Sequence, residues 1–143
     1  MADKYGAVVP TVKVDGSELD GKPAANLIKT VVDTHLHLPG MFELTFREDS
    51  DERGGVLGEA GIKIGSVVKI EAGEAESSGA SVLIEGEVTA IEGNYNEMVA
   101  QTIVRGYDKS HRLHRGRKTK AWANKSDSDI ARTVASGARL TVG

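Results

Sequence analysis

Met41-Phe42-Glu43-Leu44-Thr45-Phe46-Arg47 alternates without a fault between apolar and polar residues. Phe42, Leu44 and Phe46 project one way, and Glu43, Thr45 and Arg47 project the other. That is the period of a strand with one buried and one wet face. Upstream, Pro39-Gly40 closes a preceding run over residues 27–38. Ile28, Val32, Leu36 and Leu38 fall on one face of that run; Leu27, Lys29, Val31, Asp33, His35 and His37 fall on the other. The two runs predict a hairpin that buries Phe42, Leu44 and Phe46.

Other runs repeat the pattern. Residues 7–14 read as a first strand, with Pro10 marking an edge or a bend. Asp15-Gly16 and Asp20-Gly21 are turn signals around a short polar connection. Residues 48–61 are acidic, then glycine-rich, and predict a loop with a helical turn near 56–60. Residues 66–72 predict a strand with Val68 and Ile70 against Lys69 and Glu71, followed by a polar turn over 73–79. Residues 81–92 and 97–107 predict a long pair joined by Gly93-Asn94-Tyr95-Asn96. Residues 117–123 read as a last short strand. Ser126 then caps a helix over most of 127–136, with Asp129 three positions on, Ile130 and Val134 on one face and Gly137 as terminator.

The bulk numbers fit this picture. In 143 residues there are 17 glycines and no cysteine, which suits short strands joined by turns and excludes disulfides and thiolate metal sites. No apolar stretch approaches the roughly 20 residues that span a bilayer. The N-terminus has no hydrophobic signal segment, so a cytoplasmic location is expected. Charge is strongly divided: residues 1–104 carry 8 Lys+Arg against 18 Asp+Glu, a net of −10, while residues 105–143 carry 10 against 3, a net of +7. Such a division predicts two surfaces serving different neighbours. The domain reading places a β-barrel domain at 1–107 and a basic connection, short strand and capped helix at 108–143.

Candidate chemistry is sparse. Asp33-Thr34-His35-Leu36-His37 resembles the first metal motif of metal-dependent amidohydrolases, but that fold is an α/β barrel of about 250 residues. His35 and His37 therefore read as polar residues on the solvent face of a strand, and alternate strand side chains project in parallel instead of converging on an ion. His111 and His114 lie among Lys109, Arg112, Arg115, Arg117 and Lys118, cations that repel a metal. The basic run from Arg105 to Lys120 has only Tyr107 and Trp122 in or near it for base stacking. The rest of the chain is acidic and would repel a phosphate backbone, which argues for a protein contact over a nucleic-acid one. No phosphate loop or nucleophile elbow is present. No catalytic, cofactor-binding or metal-binding residue is assigned, and no enzyme activity is expected.

One family resemblance joins these pieces. Ile103-Val104-Arg105-Gly106-Tyr107-Asp108, then His111-Arg112-Leu113, then Ala121-Trp122-Ala123-Asn124-Lys125-Ser126-Asp127-Ser128-Asp129-Ile130-Ala131 resembles the phage late control gene D protein family. That family includes the hub parts of VgrG spikes and of contractile injection systems. Leu38-Pro39-Gly40-Met41-Phe42-Glu43-Leu44 and Ile84-Glu85-Gly86-Glu87-Val88 look like its barrel strands. The resemblance runs from about residue 7 to 140 and implies a mainly β, antiparallel, tail-tube-like barrel. The short C-terminal helix would begin a following domain. It also implies a structural baseplate hub of a phage tail or type VI-like machine: a homotrimer joining an inner tube protein to a spike, assembled in the cytoplasm and then part of the particle. Arg112, Arg115, Arg117 and Lys118 are the candidate assembly contacts. The alternative reading of the same strands is a small β-barrel module that binds a ligand or nucleic acid; a metal hydrolase using His35 and His37 is a third.

Overall fold

The computed structural model of the chain describes residues 10–49, 54–73, 81–95 and 99–141. The expected turn over 73–79 lies almost wholly outside them, as do residues 7–9. The described elements are β1 (Thr11–Val14), β2 (Ser17–Glu18), α1 (Gly21–Asn26), β3 (Leu27–Asp33), β4 (Met41–Arg47), α2 (Gly55–Ala60), β5 (Val67–Ala72), β6 (Ser81–Tyr95), β7 (Ala100–Asp108), a 3-10 turn (Lys109–His114) and α3 (Asp127–Gly137). The chain divides into one compact unit ending at Asp108 and a second beginning at Lys109.

The first unit is mainly β. Its seven antiparallel strands form one sheet in the order β2-β1-β5-β6-β7-β4-β3, curled into a half-barrel. Phe42, Leu44 and Phe46 are fully buried, as the alternation predicts. They meet Val12, Val14, Val68, Ile70, Val88 and Val104 from neighbouring strands, and Val56 and Ile62 from α2 and the residues after it. At about 25 cal/mol per Å² of apolar surface, this single core is the dominant stabilising term of the unit.

The β1–β2 connection follows its turn chemistry. Asp15 (φ 48°) and Gly16 (φ 90°) both adopt the left-handed conformation, which a two-residue hairpin turn between Val14 and Ser17 requires. The second turn signal opens α1 instead: Gly21–Asn26 is helical, with Pro23 tolerated in the first turn because the backbone N–H groups there have no helical partner.

A bulge in β3 corrects the strand faces read from sequence, and β6 carries another. In β3 the pairing jumps from Leu27↔Phe46 to Lys29↔Thr45, leaving Ile28 unpaired. The extra residue turns Leu27 toward the core and leaves Ile28 46% exposed, the reverse of the simple alternation. In β6 the jump from Val88↔Gly106 to Ala90↔Arg105 makes Thr89 the extra residue. Its hydroxyl donates to the Arg105 carbonyl at 3.4 Å.

Four further expectations are corrected. The run over 27–38 leaves the sheet at Asp33, so Leu36 is 91% exposed, and His35 and His37 follow the strand instead of lying on it. Beyond Asp33, β4 has no residues left to pair. The β6–β7 pairing continues to Tyr95↔Ala100, so Gly93, Asn94 and Tyr95 are strand and not loop. Residues 117–123 form no strand; the segment is rich in cations and preceded by Gly116. Gly137 is the last residue of α3, and the left-handed residue that ends the helix is Arg139 (φ 57°).

Candidate assembly surface

On the outer face of the sheet, alternation places charges opposite charges. Glu43 and Arg105 are direct cross-strand partners. The Arg105 guanidinium donates to Glu43 at 3.0 Å and also to Glu92 on β6, while Lys29 on β3 reaches Glu43 at 3.2 Å. Four strands are thus laced by one ladder, Lys29–Glu43–Arg105–Glu92. Hydrogen bonds from Lys29 and then Arg105 hold the Glu43 carboxyl below the usual carboxylate range, and Glu92 and Glu43 raise Arg105. A second cluster joins β1 to β5: Glu71 accepts from Lys13 at 2.7 Å and pairs with Lys69. These bonds lower Glu71, Lys13 acting first, and the bond to Glu71 raises Lys13.

Three of the segments that carried the family resemblance, 38–44, 84–88 and 103–108, meet in the sheet unit. Gly106 lies opposite Phe42 and Val88, and a Cβ there would collide with the Phe42 ring and the Glu87 carbonyl. Only glycine leaves room for the ring. Two residues on, the Asp108 carboxylate accepts from the Gly40 N–H at 2.8 Å, and the Asp108 N–H donates to the Gly40 carbonyl at 2.9 Å. Gly106-Tyr107-Asp108 is therefore the latch that fastens β7 to the Pro39-Gly40 turn. Sequence reasoning assigned Asp108 no role; an acidic residue two positions past a strand glycine was the available signal. Glu48 was missed as well: it accepts from the Val56 N–H at 3.0 Å and the Thr102 hydroxyl at 3.0 Å, tying α2 to β7.

In the second unit the four candidate contacts separate into two kinds. Arg112, on the 3-10 turn, donates to the carbonyls of Ala138 and Arg139 at 3.3 and 3.2 Å. It thus satisfies carbonyls at the negative end of α3, a stabilising place for a cation. Arg115 donates to His111 Nε2 at 2.8 Å, which takes up that nitrogen's lone pair. Arg117 and Lys118, by contrast, lie exposed on irregular chain, and so does Lys120, whose ammonium sits 4.5 Å from the centroid of the half-buried Trp122 ring. At the start of α3, Ser126 accepts from the Asp129 N–H at 3.3 Å and donates to its carboxylate at 2.8 Å, a reciprocal cap of the kind the sequence predicts.

His35 hydrogen-bonds Asp33 at 3.2 Å, both about half exposed. Among the described residues, no three His, Cys, Asp or Glu side chains are grouped to hold a metal ion. A cleft of about 520 Å³ in the first unit lies between Val12 and Leu19 on one side and Leu27 and Ile28 of β3 on the other.

Comparison with family models and with curated proteins finds no match. Among solved structures, the chain is similar to the 43 kDa tail protein of prophage MuSo2 from Shewanella oneidensis, with a TM-score of 0.65 at 17% identity. It is also similar to a tail protein from Neisseria meningitidis MC58, with a TM-score of 0.60 at 12% identity. Each alignment covers 93% of this chain but only 38% and 34%, respectively, of those proteins, so the chain spans little more than a third of their length. What it shares with both tail proteins is the fold.

Proposed function

We propose that the chain is a structural component of a phage tail or a related contractile injection machine. In this reading it supplies the first, tube-like domain of a trimeric baseplate hub that joins the inner tube to the central spike. The observation that carries the proposal is the convergence of two independent signals. Three of the segments that resemble the late control gene D family, 38–44, 84–88 and 103–108, dock on one another through Gly40, Gly106 and Asp108. The resulting fold matches two phage tail proteins over 93% of the chain. The role needs no turnover: the charged groups described are laced into structural ladders and caps, and none is arranged as a nucleophile with a base. The protein would be assembled in the cytoplasm and end as part of the virion tail or injection particle.

Mass spectrometry of tail or injection particles purified from the source organism tests this. The chain should be present at a few copies per particle, co-purifying with tube and spike proteins. Particles that are complete without it would refute the assignment.

A further inference from the structure

On the core side of the sheet, the far end of the β6–β7 pair is only partly covered. Ile91, Gly93 and Tyr95 stand opposite Val104, Thr102 and Ala100 and share their face. Val104 and Thr102 are buried, yet Ile91 is 38% and Tyr95 73% exposed. Between this end of β6 and α2 lies a cleft of about 360 Å³, and Glu48 is the one charged residue among those described that line it. Gly55 admits the carboxylate: a Cβ there would stand 2.6 Å from Glu48 Oε1. Two neutral donors orient it, the Val56 N–H on Oε1 and the Thr102 hydroxyl on Oε2. Each oxygen keeps a lone pair, and among the described residues no cation pairs with Glu48. The Tyr95 ring lies back over Gly93, where a Cβ would collide with it. Because Gly93 pairs with Thr102, the ring and the carboxylate are neighbours.

We propose that this cleft receives the side chain of an arginine presented by a different protein of the particle. The guanidinium forks onto the two free lone pairs of Glu48 and stacks on the Tyr95 ring, and its methylenes lie against Ile91 and Leu57. Charge selects a cation, because the cleft offers a carboxylate without a counter-charge. Shape selects arginine over lysine: a planar fork matches both carboxylate oxygens and an exposed ring at once, which a compact ammonium does not. The inference rests on the structural reading above only for what presents the arginine; the cleft itself is built entirely within the sheet unit.

Titration of the whole 143-residue chain with the peptide acetyl-Ala-Arg-Ala-amide, followed by amide NMR shifts, tests it. Saturable millimolar binding is expected, with the largest shifts at Gly55, Val56, Tyr95 and Thr102. The same peptide with citrulline, which has the shape of arginine but no charge, should bind roughly tenfold more weakly, and so should the arginine peptide to Glu48→Gln. Because Glu48 also ties α2 to β7, the exposed Tyr95 supplies a second variant: Tyr95→Ala should weaken binding roughly threefold at an unchanged melting temperature, and Tyr95→Phe should bind like the parent. No saturable shift at these amides, equal binding of the citrulline peptide, or a Tyr95→Ala variant that binds like the parent overturns the proposal. So does binding that appears only in Arg53→Gln, which would make the chain's own Arg53 the occupant, or the same shifts on concentrating the chain without peptide, which would make it a second copy. Peptide binding by a chain that enters no tail particle would leave the cleft standing and remove the tail reading; particle entry by a chain that ignores the peptide would do the reverse.

Discussion

The sheet unit and the C-terminal unit are held together by different forces. Through Asp108, the chain buries a continuous apolar core with both phenylalanines at zero exposure. From Lys109 on, neither the 3-10 turn nor α3 contains a buried residue, and Val134 on the helix is 48% exposed. What organises the second unit is polar: the Ser126 cap at one end of α3 and Arg112 at the other. An 11-residue helix without a buried face is marginal by itself, so its caps matter more than caps usually do. The first region is specified by burial, the second by hydrogen bonds that water can replace.

This contrast is most severely tested by emptying the core. Phe46→Ala should cost about 3–5 kcal/mol in urea or guanidinium unfolding, because a fully buried ring leaves a cavity. A loss below about 1 kcal/mol would mean that the core does not carry the sheet unit. Filling the one place where the strands need a vacancy comes next. Gly106→Ala forces a methyl into the Phe42 ring and the Glu87 carbonyl, and should destabilise by about 1–3 kcal/mol. Restored stability in a Gly106→Ala, Phe42→Leu double variant would sharpen the assignment to that contact.

In the second unit the effects should be smaller and confined to the helix. Ser126→Ala should remove about 1 kcal/mol of helix stability, seen as faster amide exchange in α3 with sheet amides unchanged. Exchange that accelerated equally in the sheet would break the distinction between the regions. Acid offers a finer probe of the sheet unit. The N–H of Val67, then the Ser66 hydroxyl, hold the Asp15 carboxyl below its ordinary value. That contribution is fully present above the unfolded aspartate value near pH 3.9, and is lost as pH falls through the lowered folded one. Asp15→Asn should therefore flatten the fall in melting temperature below about pH 4; an unchanged acid limb would remove Asp15 from the account. The smallest effect belongs to His35→Ala with His37→Ala, expected within about 0.5 kcal/mol of the parent since both residues are exposed past the end of β3.

The strands that form the core were legible because their side chains follow the period-2 rule that burial enforces, most clearly from Met41 to Arg47. The helix at 127–137 was legible for a local reason, since Ser126 and Asp129 satisfy its first turn without help from the rest of the fold. What escaped was whatever depends on a partner strand. Ile28 becomes a bulge only because of how β4 lies beside β3, and Gly93 to Tyr95 look like turn residues yet pair because β7 runs opposite them. The candidate surface was legible as a charge excess but not residue by residue. That Arg112 faces the carbonyls of Ala138 and Arg139 follows from a fold in which residues 26 apart meet.

The ladder on the outer face has a consequence for how the sheet finds its alignment. Sliding one antiparallel strand by two residues against its neighbour keeps every apolar side chain on its own face, so hydrophobic alternation by itself cannot reject the error. Glu43 rejects it: displaced by two, it would face Ile103 or Tyr107 in place of Arg105. Phe42 rejects it too, meeting Val104 or Asp108 where Gly106 had left space. The charges on the wet side and the missing side chain on the dry side thus act as an error check on strand alignment, one that burial alone could not supply.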